Sequence, residues 1–143
     1  MSFDLKLING DLAIVNGDLQ VVRDTELLVQ AILKICLTQV GANPMQPGYG
    51  SYLSRSVIGN AMNISAITTI AKSQLSTCLT NLQQYQQTQI KSRQRVSASE
   101  QLAAVSSLSV TQNAIDPRLF DVVIKALSKG LTPVTAKFSI TTI

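Results

Sequence analysis

Hydrophobic and polar positions follow three different periods along the chain, and each change of period marks a change of element. From Leu5 to Val22 short apolar pairs are interrupted by polar residues, and Asn9-Gly10-Asp11-Leu12 returns seven residues later as Asn16-Gly17-Asp18-Leu19. Asn-Gly favours a tight turn with positive φ, so Leu5 to Ile8, Leu12 to Val15 and Leu19 to Val22 are predicted as short strands of a β meander within residues 1–23. Two such units are too few for a stacked repeat, and a meander this small must lean on the main body or on a neighbour.

The period then becomes helical. Asp24 is an expected N-cap with Glu26 in the first turn, and the segment runs helically to about Val40. Glu26, Gln30, Lys34 and Thr38 form one narrow stripe expected to face solvent, while Leu27, Leu28, Ala31, Ile32, Ile35, Cys36, Leu37 and Val40 occupy most of the remaining circumference, so the helix is expected to be covered on nearly all sides at the centre of the core. Gly41 to Ser51 holds Pro44, Pro47, Gly48 and Gly50, which forbid regular structure and predict a rigid connector with Tyr49 and Tyr52 packed beneath it. No Gly-Lys-Ser/Thr follows, so a phosphate cradle is not expected there. A longer helix covers Asn63 to about Ile90, with Ile64, Ile67, Ala71, Leu75, Cys78, Leu82 and Tyr85 recurring at threes and fours on one face and a glutamine-rich end.

The last third alternates with a period of two. Leu119 to Ser128 and Val134 to Ile143 read as half-buried strands, and Leu102 to Thr111 as a strand whose apolar phase slips between Val105 and Leu108, the signature of a bend or bulge. The predicted fold class is α+β: an N-terminal β meander and two main helices packed on a C-terminal three-stranded antiparallel sheet, all in a single domain over 1–143.

Composition narrows the chemistry. With 143 residues, 45% of them hydrophobic and 14% charged, one sizeable core is expected without a metal or disulfide staple. Histidine is absent, which removes histidine triads, imidazole bases and histidine-ligated zinc. Cys36 and Cys78 lie in apolar helical patterns and read as buried thiols of a reducing compartment. The sequence has no run of 18 apolar residues and opens without a basic leader, so a soluble protein made in the cytoplasm is expected.

Charge is unevenly placed. Residues 1–30 have a balance of −3 and the other 113 a balance of +7, a polarity suited to head-to-tail approach of subunits. Lys91, Arg93 and Arg95 read either as a solvated cluster at a helix end or as a contact for an acidic partner or phosphates. Beyond Glu26 the acids are Glu100, Asp116 and Asp121, which offers no evident carboxylate pair for glycoside hydrolysis, and no metal-ligand spacing is present. A non-enzymatic interaction protein is therefore expected. The segment Val134 to Ile143 carries one charge, Lys137, and no internal proline. As a sheet edge it would offer unpaired backbone groups; the pattern equally allows a strand flanked on both sides.

In the order Asn16-Gly17-Asp18-Leu19, the helix Leu27 to Leu37, Asn43-Pro44, Tyr49-Gly50-Ser51 and the final strands, the chain resembles the baseplate wedge or sheath-initiator family of contractile phage tails, also known as lysozyme-like baseplate proteins. Where that family has a Glu-Pro-Arg-like signature, this chain has Ser99-Glu100-Gln101-Leu102. The resemblance implies a structural virion component of the tail baseplate, assembled in the host cytoplasm, with six copies around the tail axis. It implies as partners the tail sheath protein, baseplate wedge proteins and tail tube or hub proteins, with no cofactor, metal, membrane or nucleic acid. Sheath contacts then fall on Val134, Ala136, Lys137, Phe138, Ile140 and Ile143, and the wedge contact on Glu100, Gln101 and Leu102. The alternatives are a lysozyme-like cell-wall hydrolase and a basic nucleic-acid-binding adaptor.

Overall fold

The computed structural model describes residues 3–57 and 63–141. Ile143, expected among the sheath contacts, lies outside them. The architecture is α+β, with small antiparallel strands first, helices next and a three-stranded antiparallel sheet last.

The opening strands close on themselves. β1 (Asp4–Leu5) pairs with β6 (Val21–Val22), β2 (Leu7–Ile8) with β3 (Asp11–Leu12), and β4 (Ile14–Val15) with β5 (Asp18–Leu19), all antiparallel. Lys6 N–H donates to Gln20 C=O, Gln20 N–H to Ala13 C=O and Ala13 N–H to Lys6 C=O, at 2.8 to 2.9 Å. Each of these residues follows the last by seven, so the bonds form a triangle with pseudo-threefold symmetry. Asn9-Gly10 and Asn16-Gly17 turn two corners with positive φ at all four residues. The third corner has Arg23-Asp24, and there the chain leaves into a helix.

That helix, α1 (Asp24–Leu37), starts differently from expectation. Asp24 does not cap: its φ is +53°, the N-cap position is Arg23, and no side chain caps it. The Asp24 carboxylate instead accepts from the Ser99 hydroxyl at 3.2 Å. The helix also stops earlier than Val40. Thr38 is extended because its carbonyl is taken by the Ser51 N–H at 2.8 Å, in a short parallel bridge that returns the connector to the helix end.

α2 (Leu53–Val57) is a single turn and a half that the sequence did not announce. α3 (Ile64–Lys91) begins at Asn63, whose side chain accepts from Ala66 N–H at 2.8 Å. The sheet order is β7-β8-β9: β7 (Leu102–Gln112), β8 (Leu119–Ser128) in the centre, and β9 (Pro133–Thr141). Along β8 alternate residues are buried, and Phe120, Val122, Ile124 and Ala126 meet Leu28, Ile32 and Ile35 of α1 and Leu75, Cys78 and Leu79 of α3 in one cluster. Each such aliphatic side chain contributes roughly 1.5–3 kcal/mol on burial. Tyr49 packs on Tyr85 with ring centroids 5.7 Å apart; Tyr52, expected under the connector as well, is exposed.

Candidate functional site: an open sheet edge beside a groove

β8 is interior to the sheet, so its open borders are β7 and β9. These borders differ. β7 shifts register twice, between Leu102 and Ala104 and between Val105 and Ser107, the second within the stretch where the sequence phase slips. Gln83 also donates to Ala103 C=O at 2.9 Å. Irregular, capped edges resist further pairing. β9 instead keeps unbroken register with β8 from Pro133 opposite Leu127 to Thr141 opposite Leu119.

Backbone alternation settles which groups β9 presents. Ser128 N–H donates to Thr132 C=O at 3.0 Å, so every second residue from Thr132 bonds to β8. The N–H and C=O of Thr135, Lys137, Ser139 and Thr141 therefore point outward, and no backbone partner meets them among the described residues. Val134, Ala136 and Ile140 have buried side chains, Phe138 is half-buried, and Lys137 is exposed. Of the residues assigned to sheath contact, those with inward side chains thus hold the strand flat, while the outward-facing groups belong to their neighbours and Lys137.

A groove of about 950 Å³ runs beside this border. Val29, Leu33 and Leu37 of α1 supply one wall, Val134, Lys137 and Phe138 of β9 another, and Lys6 and Leu7 of the N-terminal ring close it. Two side chains of α1, Gln30 and Lys34, hold the ring there. Gln30 donates to Leu5 C=O at 2.8 Å and accepts from Leu7 N–H at 2.9 Å, so its amide stands in for a strand residue opposite Lys6. Gln30 is buried and the polar stripe of α1 is thus the seat of the ring, contrary to its expected exposure to solvent. Lys34 adds an ion pair to Asp4 at 2.7 Å. Burial acts to raise the Asp4 pKa, but Lys34 and hydrogen bonds from Leu5 N–H and Gln30 outweigh it and leave Asp4 below its ordinary value.

Glu100, Gln101 and Leu102, assigned to a wedge contact, are all buried. Glu100 closes a capping box, accepting from Ser97 N–H at 3.0 Å, on a single 3-10 turn at Ala98–Glu100. Gln86 donates to Glu100 C=O at 2.9 Å and accepts from Leu102 N–H at 2.8 Å. The segment in turn holds the β8–β9 hairpin, since Lys129 N–H donates to Gln101 C=O and Gly130 N–H to Ala98 C=O. These three residues therefore position the start of β9.

Cys36 and Cys78 are buried with their sulfurs 3.4 Å apart. Their mutual contact, then burial, drives the Cys36 pKa far up, which disfavours the nucleophilic thiolate. No cluster of metal-ligating side chains occurs among the described residues, and none of their helices is long and apolar enough to cross a membrane. Lys91, the last residue of α3, and Arg93 and Arg95 just beyond it are exposed.

Sequence reasoning missed the ring and its Gln30 tether. A signal was present: Asp-Leu occurs at 4, 11 and 18, one turn earlier than the Asn-Gly pairs reveal.

No family model and no curated protein matches the chain. Among solved structures it is similar to a crystal structure described as a "putative tail lysozyme" from Geobacter sulfurreducens, at 13% identity and a TM-score of 0.57, covering 82% of this chain and 90% of that one. At that identity the likeness is one of fold.

Proposed function

We propose that this protein is a structural component of a contractile phage tail that accepts a β-strand from a tail sheath subunit along β9, starting sheath assembly at the baseplate. The observation that carries this reading is the regular, unpaired border of β9, with outward backbone groups at Thr135, Lys137, Ser139 and Thr141 beside an apolar groove. Strand addition draws its affinity from main-chain hydrogen bonds and its specificity from alternate side-chain pockets, and this border supplies both. The fold likeness to a tail protein supports the setting. Docking on wedge proteins, a sixfold arrangement and a place in the virion belong to the same proposal.

The test is sheath polymerisation seeded by the purified protein. Thr135→Pro deletes one outward N–H while leaving the β8 ladder intact, and seeding is expected to fall to the unseeded rate. Normal seeding by a folded Thr135→Pro protein would overturn the reading. Digestion of purified cell wall that disappears in Glu100→Gln would favour a hydrolase instead.

A further inference from the structure

The N-terminal ring contains the same docking device three times and the molecule uses it once. In the first unit, Asp4-Leu5-Lys6-Leu7, α1 engages Leu5 C=O and Leu7 N–H through Gln30 and Asp4 through Lys34, one helical turn further on. The equivalent groups of the second unit are Asp11, Leu12 C=O and Ile14 N–H, and those of the third are Asp18, Leu19 C=O and Val21 N–H.

The equivalence is structural as well as sequential. Strand pairing repeats at each step of seven, the backbone triangle closes through all units, and Asp4 and Asp11 each accept from the following N–H, at 2.9 and 2.8 Å. Yet Leu12 C=O, Ile14 N–H, Leu19 C=O and Val21 N–H meet no partner among the described residues, and Asp11 and Asp18 form no ion pair there. The apolar side chains around them are also uncovered: Ile14 is 63% exposed and Leu19 50%. A short module that leaves so much apolar surface in water, with acidic groups set into it, has the makings of an interface.

The geometry points to two vacant ports on this ring, each of which binds a helix from a neighbouring subunit carrying a primary amide and a cation one turn apart, flanked by apolar side chains. The occupied port defines that chemistry, because Gln30 and Lys34 are such a pair on α1. Charge complementarity selects the cation, since each vacant port has its own aspartate. This surface is distinct from the β9 border, so the two proposals stand or fall separately.

The test uses the full-length protein and a capped helical peptide that keeps Leu27, Gln30, Ala31 and Lys34 of α1 and is polar elsewhere, followed by amide NMR. Saturable shifts are expected at Ile14 and Val21. Replacing the glutamine of the peptide by leucine is expected to weaken binding about tenfold. The double variant Asp11→Asn with Asp18→Asn, which at position 11 retains an amide oxygen able to accept from Leu12 N–H, is expected to do the same. No saturable shift at millimolar peptide overturns the proposal, as does a shift confined to Leu7, which would mean that the peptide merely displaces α1. The chain also bears Gln87 and Lys91, exposed one turn apart on α3. Concentration-dependent self-association abolished by Lys91→Glu would assign the ports to a second copy and overturn the partner-helix assignment.

Discussion

Gln30 and Gln86 make the same pair of hydrogen bonds at two distant places: each donates to one carbonyl and accepts from the N–H two residues later, Leu5 and Leu7 for one, Glu100 and Leu102 for the other. Each amide imitates a strand residue, and each fastens a β element to a helix. Both are buried, so leaving their partners unsatisfied costs about 1–3 kcal/mol per group. Gln86→Leu is expected to lower global stability by about that amount in a denaturant titration. Gln30→Leu is expected instead to release the ring locally, seen as faster hydrogen exchange at Ala13 and Gln20 with a nearly unchanged midpoint.

Proline scanning of β9 separates its two borders. At Thr135 and Ser139 the N–H faces outward, so proline is expected to leave the thermal midpoint within a few degrees. At Ala136 the N–H belongs to the β8 ladder opposite Ile124, and its loss orphans a buried carbonyl at about 1–3 kcal/mol. A circular dichroism melt distinguishes them, and equal damage at both sites would show that the outward groups have hidden partners.

At Gly50 of the connector only glycine fits. Gly50 has a φ of +120°, and a Cβ there would lie 2.5 Å from Thr38 C=O. Gly50→Ala must break the bond between Ser51 N–H and Thr38 C=O that ends α1, so a loss of at least ~1 kcal/mol is expected on denaturation.

Asp4 gives the ring an acid sensitivity. Its folded-state pKa is lowered from the ordinary 3.8, so its contribution is present above that value and is lost as pH falls through the folded-state value. Exchange at Ala13 and Gln20 is expected to accelerate, beyond its intrinsic pH dependence, on acidification below about pH 4, and to lose that step in Asp4→Asn.

The thiols of Cys36 and Cys78 are expected to resist a water-soluble disulfide reagent in the native protein and to react within minutes in denaturant, because both are buried in the core out of the reagent's reach. Rapid native labelling would mean that the α1–α3 contact opens readily.

Much of the fold was legible because its elements obey single periods. The alternation of Phe120, Val122, Ile124 and Ala126 is the buried face of β8, and the phase slip after Val105 is a register shift. What stayed hidden were polar residues with buried duties. Gln30 and Gln86 sit in patterns that read as solvent-facing, because periodicity records hydrophobicity and is blind to an amide that satisfies distant backbone. The ring was hidden for a related reason: its third corner replaces Asn-Gly with Arg23-Asp24, so the repeat looked twofold. For β9, composition gave a strand with a single charge, Lys137, but whether it lay at a border depended on β8 occupying the centre, a long-range fact that no local pattern encodes.

The contrast between the kinked outline of β7 and the smooth one of β9 gives the sheet a built-in arrow. In the proposed strand addition a newcomer would meet a receptive flank on one side and a blocked one on the other, so accretion would run a single way from this platform.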